Sequence, residues 1–103
     1  MVHRLVVSYG QPTDPAAFDA YYRETHTPLA LAQPGLLGLS FGHPKSLDPS
    51  QTRPYLVAQL DFETEEAMAE TLASPEGRAA GKDVRNFATG GVTFVHFDVE
   101  QPS

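Results

Sequence analysis

The chain has 103 residues, a formal net charge of −6, 41% hydrophobic residues and no cysteine. This length predicts a single domain over residues 1–103 of ordinary globular composition. The lack of cysteine excludes disulfides and thiolate chemistry, and seven basic against thirteen acidic residues argue against a nucleic-acid partner. The apolar run Leu5 to Val7 is too short for a signal sequence or a membrane span, so we expect a cytoplasmic, soluble protein with no membrane partner.

The first half of the chain predicts a strand, a helix and a second strand. The segment "HRLVVSYG" is rich in β-branched residues and ends at turn-forming residues, as a strand does. Asp14 followed by Pro15 is a typical helix start. We expect this helix to reach about His26, because Pro28 disfavours helical geometry at Thr27. One further helical turn and a strand in "LLGLSFGHP" follow.

The second half predicts a strand, a helical region and a last strand. The segment "YLVAQLDF" is the third strand, and Thr64 and Ser74 are placed to cap two consecutive helical pieces. Gly90 and Gly91 end the helical region, and "VTFVHFDVE" is the fourth strand. The order βαββαβ predicts an α+β, ferredoxin-like fold, which is a four-stranded antiparallel sheet with two helices on one face.

The last strand carries large apolar residues on both of its faces. Val92 and Phe94 alternate with Val95 and Phe97, whereas a sheet with one solvated face alternates apolar and polar residues more cleanly. The two predicted helices cover only one face of the sheet. We therefore expect a second copy of the chain to cover the other face, giving a homodimer through the sheets.

The segment "FDAYYRETHTPLA" contains the strongest candidate for a functional site. Phe18, Tyr22 and His26 are spaced by four residues, so they share one helical stripe, which Leu29 continues. Histidine titrates near neutral pH and suits general acid–base catalysis, and aromatic side chains form the walls of many small-molecule pockets. We predict that His26 is catalytic and that Phe18, Tyr22 and Leu29 contact a hydrophobic ligand.

Purely structural interpretations of the same stripe are also open. Phe18 and Tyr22 could be core residues, with His26 partly exposed at the negative C-terminal end of the helix, where a histidine is favourable. His26 could instead make a buried hydrogen bond to Tyr21, Tyr22 or Thr25. Sequence spacing does not distinguish these arrangements from a pocket.

The other three histidines give no regular metal-binding pattern. His3, His43 and His96 are isolated in sequence, and no cysteine ligand or nucleotide-binding loop accompanies them. We therefore expect no cofactor and no metal. A zinc or iron site assembled from separate strands is the less favoured alternative.

The segments "FDAYYRETHTPLA" with "PGL", and "SPEGRAAGKDVRNFATGGVT", resemble the EthD family, named for ethyl tert-butyl ether degradation. The similarity extends from the first strand to the last. It implies a dimeric α+β barrel, in which two ferredoxin-like subunits face their sheets together. Related barrels include cofactor-independent monooxygenases, decarboxylases, dehydratases and lactone isomerases. In some relatives the histidine that corresponds to His26 lies in the pocket and is proposed as catalytic.

The resemblance implies a cofactor-independent enzyme of the isomerase, dehydratase or oxygenase type. Its substrate would be a hydrophobic or aromatic small molecule in a pocket between the helices and the sheet. The alternative is a non-catalytic protein that holds such a compound for a partner oxygenase. Sequence alone does not separate the two, since both need an apolar pocket with a few polar groups.

Overall fold

The computed structural model describes residues 1–102 and contains one antiparallel sheet with helices packed on one face. The strands are β1 (His3–Tyr9), β2 (Gly38–Gly42), β3 (Leu56–Phe62) and β4 (Val92–Asp98), in the sheet order β2-β3-β1-β4. The helices are α1 (Pro15–Tyr21), α2 (Thr27–Leu31), α3 (Glu65–Ala73) and α4 (Pro75–Asp83). The predicted α+β, ferredoxin-like fold is confirmed. No helix in this part of the chain is long and apolar enough to cross a membrane.

Short polar side chains begin the helices at the positions that the sequence predicted. Asp14 accepts a hydrogen bond from the backbone N–H of Ala17 at 3.1 Å, and Thr64 accepts one from Ala67 at 3.0 Å. Ser74 caps α4 in the same way. Each of these bonds satisfies a backbone donor that the first helical turn leaves without an internal partner.

One wide helical turn, Tyr22–His26, joins α1 to α2 without a break. The backbone N–H of Thr27 donates to the carbonyl of Tyr22, five residues earlier, and Thr27 Oγ1 donates to the same oxygen at 2.8 Å. Pro28 accounts for this π-turn, because its ring has no N–H and would collide with a carbonyl of a regular α-helix. The expected loss of helical geometry at Thr27 is therefore wrong: its angles are helical, with φ −58° and ψ −45°.

The core lies between the helices and the inner face of the sheet. Alternate residues of the two central strands are buried there: Leu5, Val7, Tyr9, Leu56, Ala58, Leu60 and Phe62. They pack against Phe18 and Tyr22 of the first helical segment, Met68 of α3, and Phe87 after α4. In β3 the buried residues are the apolar half of the alternating sequence "LVAQLDF".

The outer face of the sheet carries exposed apolar side chains. Val95 and Phe97 of β4 are 57% and 47% exposed, and the strand register places them beside Val6 and Arg4 of β1. The guanidinium of Arg4 pairs with the carboxylate of Asp61 on β3, with Nε 2.8 Å from Oδ1. Because these two charges neutralise each other, they do not prevent burial of the surrounding apolar surface.

Candidate functional site

A cavity of about 70 Å³ lies between the inner face of the sheet and helices α2 and α4. Its walls are mostly aliphatic, with Leu5, Leu39 and Leu60 from the sheet and Ala30, Ala80 and Val84 from the helices. Leu72, Gly81 and Phe94 also line the cavity but are exposed to solvent, so they mark its opening. Protein interiors are normally close-packed. The space is left open here because several of the helix residues that line it are small.

His26 lies in the wall of this cavity, at the end of the π-turn. His26 is 6% exposed, and its Nδ1 donates a hydrogen bond to Oδ2 of Asp83 at 2.9 Å. Because a carboxylate only accepts hydrogen bonds, Nδ1 carries the proton and Nε2 keeps its lone pair. A partly exposed histidine at a helix end is therefore the wrong interpretation. The buried hydrogen bond exists, but it goes to Asp83 and not to Tyr21, Tyr22 or Thr25.

Asp83, the last residue of α4, is held by three hydrogen-bond donors. Its Oδ1 accepts from the hydroxyl of Tyr21 at 2.6 Å and from Nδ2 of Asn86 at 3.0 Å, and its Oδ2 accepts from His26. Burial acts to raise the pKa of this carboxyl, but the three hydrogen bonds outweigh it and hold the pKa of Asp83 below its usual range. The carboxylate is therefore ionised at neutral pH and fixes the orientation of the histidine ring.

The His26 ring is neutral at neutral pH. Burial lowers the pKa of His26, and this effect exceeds the opposing contribution of the Asp83 carboxylate. If Nε2 accepts a proton, the resulting imidazolium lies 2.9 Å from that carboxylate, which stabilises its charge. The same relation of aspartate, histidine and reacting group operates in serine hydrolases. The pair is thus chemically suited to act as a general base.

Three side-chain polar atoms of cavity-lining residues have no hydrogen-bond partner among residues 1–102: Tyr9 Oη, Tyr22 Oη and His26 Nε2. In that part of the chain every side-chain nitrogen or oxygen that is fully shielded has a partner, so each of these three atoms keeps some accessible surface. Burial raises the pKa of Tyr22 to about 12 and also raises the pKa of Tyr9, so both hydroxyls stay protonated. Gln33 donates from Nε2 to the carbonyl of Ala30 at 3.0 Å, which leaves its side-chain oxygen as a second acceptor in the wall.

The four residues predicted for the site occupy different positions. Tyr22 and His26 line the cavity together, with their ring centroids 5.4 Å apart. Phe18 stacks on Tyr22 with a centroid distance of 5.9 Å and belongs to the core rather than to the lining. Leu29 is half-buried and does not line the cavity. The structure therefore brings together two of the four predicted residues.

Sequence reasoning missed Tyr9, Asp83 and Asn86 as members of the site. Asp83 lies 57 residues after His26, so no local spacing connects them. One signal was available in α4, where Gly77, Ala80 and Asp83 recur every three residues on the buried face. A carboxylate on the buried face of a helix requires hydrogen-bond donors, so this spacing could have marked Asp83 as a paired carboxylate, although it does not identify the donors.

A second histidine cluster lies where β1 begins and β4 ends. The buried ring of His3 bonds through Nδ1 to Asp98 Oδ1 at 2.7 Å and through Nε2 to His96 Nδ1 at 2.8 Å. These residues meet because the strand register places His3 opposite Asp98. Both ring nitrogens of His3 are used, so neither is free to bind a metal ion. In residues 1–102, no three His, Asp or Glu side chains form a group that could hold one.

Comparison with known proteins matches the EthD domain model to residues 10–91. The "uncharacterized 11.0 kDa protein in thcB-thcC intergenic region" of Rhodococcus erythropolis is 41% identical over 99 residues, which is 96% of each chain. An EthD family crystal structure from Bacillus halodurans C-125 has a TM-score of 0.89 at 29% identity and covers 97% of this chain and 100% of its own. A dimeric ferredoxin-like protein from Thermobifida fusca YX shares the fold, with a TM-score of 0.71 at 18% identity. The match covers 96% of this chain and 92% of the Thermobifida fusca chain.

Proposed function

Because this chain belongs to the EthD domain family, we propose that it is a small cofactor-independent enzyme that removes a proton from a hydrophobic or aromatic molecule in the His26 cavity. The observation that carries the proposal is the unpartnered Nε2 of a buried histidine, which an ionised aspartate holds in one tautomer. The three reaction types expected from the sequence, isomerisation, dehydration and cofactor-independent oxygenation, can each begin with the loss of a substrate proton. One general base therefore serves all of them.

The proposed proton transfer uses only side chains of this chain. The lone pair of His26 Nε2 takes the proton, and the bonding electron pair stays on the substrate atom. Asp83 stabilises the imidazolium that forms. The protonated hydroxyls of Tyr9 and Tyr22 donate hydrogen bonds to negative charge that develops on a substrate oxygen. The aliphatic walls keep water away, which strengthens these interactions.

Deuterium incorporation into 2-butanone tests the base directly. The ketone is small and uncharged, and its carbonyl makes the neighbouring C–H groups acidic. In heavy water at neutral pH, we expect the wild-type protein to incorporate deuterium faster than buffer alone. His26→Gln should lower the protein-dependent rate about a hundredfold, because general-base catalysis contributes factors of this order. Proton NMR of the ketone follows the reaction.

His43→Gln is the matched control for this experiment. His43 is a surface histidine that bonds to the carbonyl of Tyr55 at 3.0 Å and does not line the cavity. Its replacement should leave the rate unchanged. A His26→Gln protein that exchanges at the wild-type rate contradicts the proposal. Saturable binding of the ketone to the wild-type protein without exchange would instead support the non-catalytic alternative.

We also propose that two copies of the chain assemble with their outer sheet faces together. The face offers the exposed side chains of Val95 and Phe97, and the pairing of Arg4 with Asp61 removes its net charge. The Thermobifida fusca protein of the same fold is described as dimeric. Burial of apolar surface between two identical faces would drive the association.

A charge placed on the outer face should prevent this association. We expect the wild-type protein to sediment at equilibrium, at micromolar concentration, with twice the mass of one chain. Phe97→Glu should sediment as a single chain, because burying an unpaired carboxylate is costly. Ala79→Glu adds the same charge at an exposed position of α4 and should leave the dimer intact. A wild-type protein with the mass of one chain would refute the dimer.

A further inference from the structure

We propose that the ligand of the His26 cavity is an uncharged, mostly apolar molecule that presents a hydroxyl group to Nε2 of His26. This inference rests on the proposed function, since it names the class of molecule that the same cavity takes. It follows from the hydrogen-bonding capacities of the polar atoms in the wall, from the charge around them and from the shape of the opening.

The hydrogen-bond acceptors in the cavity wall require a ligand that donates a hydrogen bond. Nε2 of His26 is an acceptor, because Asp83 fixes the proton on Nδ1, and the free oxygen of Gln33 is another. A ligand that offers only an ether oxygen would leave both acceptors without a donor, and a buried acceptor without a partner is costly. A hydroxyl can donate to Nε2 and accept from Tyr9 or Tyr22 at the same time.

The charges around the cavity disfavour an anionic ligand. Within residues 1–102, no lysine or arginine lines it, and the His26 ring is neutral at neutral pH. His26 pairs with the carboxylate of Asp83, which would repel a second negative charge. An anion would therefore lose its hydration without gaining a positive partner.

The opening of the cavity favours a ligand with an apolar tail. A volume of about 70 Å³ is far smaller than the roughly 300–1,000 Å³ of pockets that enclose a whole drug-sized ligand. The hydroxyl and the first carbons of a ligand fit inside, and the remainder lies at the opening. There Phe94 and Leu72 present exposed apolar surface, and a Cβ added at Gly81 would meet no atom within 4 Å.

Binding of three small molecules to the wild-type protein tests the inference. Pentan-1-ol and 1-methoxybutane are isomers, and only the alcohol can donate a hydrogen bond. Pentanoate has the same chain length but carries a carboxylate. Dissociation constants come from heteronuclear NMR titrations at neutral pH. We expect the alcohol to bind about tenfold more tightly than the ether, because the ether leaves Nε2 unpaired. Pentanoate should give no saturable shift.

The nitrogen resonance of His26 Nε2 gives a second, direct readout in the same titration. The alcohol should shift it as the nitrogen accepts a hydrogen bond, whereas the ether should not. Tyr22→Phe is the matched variant: it removes an unpartnered hydroxyl, so it should weaken both ligands without abolishing the preference for the alcohol.

The possible results separate this inference from the proposed function. If the ether binds as tightly as the alcohol, or if pentanoate binds, the hydroxyl inference is overturned. Deuterium exchange into 2-butanone still tests whether His26 acts as a general base. If neither the alcohol nor the ether binds, both the inference and the ligand cavity on which it rests are overturned. A preference for the alcohol with an unshifted Nε2 resonance also overturns the assignment to His26.

Discussion

Replacing Asp83 with alanine is expected to lower the free energy of unfolding by about 3 kcal/mol. The change removes the acceptor of three hydrogen bonds and leaves the Nδ1–H of His26 in an apolar surrounding without a partner. A buried donor without a partner costs about 1–3 kcal/mol, and the lost hydrogen bonds to a charged group add to this. Urea denaturation measures the change. Both proteins must be compared at one concentration, since a dimer makes stability concentration-dependent.

Asp83→Asn is the control that separates positioning from stability. The oxygen of the new asparagine side chain can still accept hydrogen bonds from Tyr21 and Asn86. In that orientation the amide nitrogen of the same side chain points toward His26. The amide then donates to Nδ1, so the histidine proton moves to Nε2, where it blocks the lone pair. We expect a smaller loss of stability than with alanine, a reversed tautomer in the nitrogen NMR spectrum, and loss of exchange into 2-butanone. An asparagine variant with the wild-type tautomer would contradict the positioning role.

Replacing Phe18 with alanine should lower the free energy of unfolding by about 3–5 kcal/mol, because it removes buried surface and leaves a cavity. The ring of Phe18 is packed against Tyr9, Tyr22 and Phe87, with centroid distances of 5.5, 5.9 and 5.3 Å. Phe41→Ala is the matched control. Phe41 also contacts Tyr22, but it is 38% exposed, so its truncation removes less buried surface. Urea denaturation of both variants makes the comparison.

The same variant tests the role that the sequence predicted for Phe18. Because Phe18 does not line the His26 cavity, the folded Phe18→Ala protein should keep the wild-type preference for pentan-1-ol over 1-methoxybutane. Loss of that preference with little loss of stability would show that Phe18 is a ligand contact and not only a core residue.

The parts of the fold that the sequence predicted are those encoded by neighbouring residues. Asp14, Thr64 and Ser74 cap helices because each bonds a backbone N–H three residues later. The inner face of β3 follows from the alternation of Leu56, Ala58, Leu60 and Phe62. Both signals lie within one turn or one strand, so they are visible without knowledge of the tertiary structure.

The parts that were not predicted depend on tertiary contacts. The π-turn keeps Thr27 helical before Pro28, although the local preference of a residue before proline is extended. The partner of His26 comes from α4, and the helix packing alone determines that Asp83 reaches it. The stripe of Phe18, Tyr22 and His26 was visible in the sequence, but which of its members face a cavity depends on the residues packed against them.

The place of β1 in the sheet also constrains how the nascent chain can fold. β1 precedes the other three strands of the sheet in the chain, yet it lies inside the sheet, where Leu5 pairs with Leu60 on one side and with His96 on the other. At ribosomal rates of about 5–20 residues per second, β1 waits about 3 s or longer for its first partner strand. Pairing between such distant segments also slows folding. Leu5 and Val7, which line the cavity, therefore stay unpaired until β3 has been synthesised, and the cavity cannot form before then.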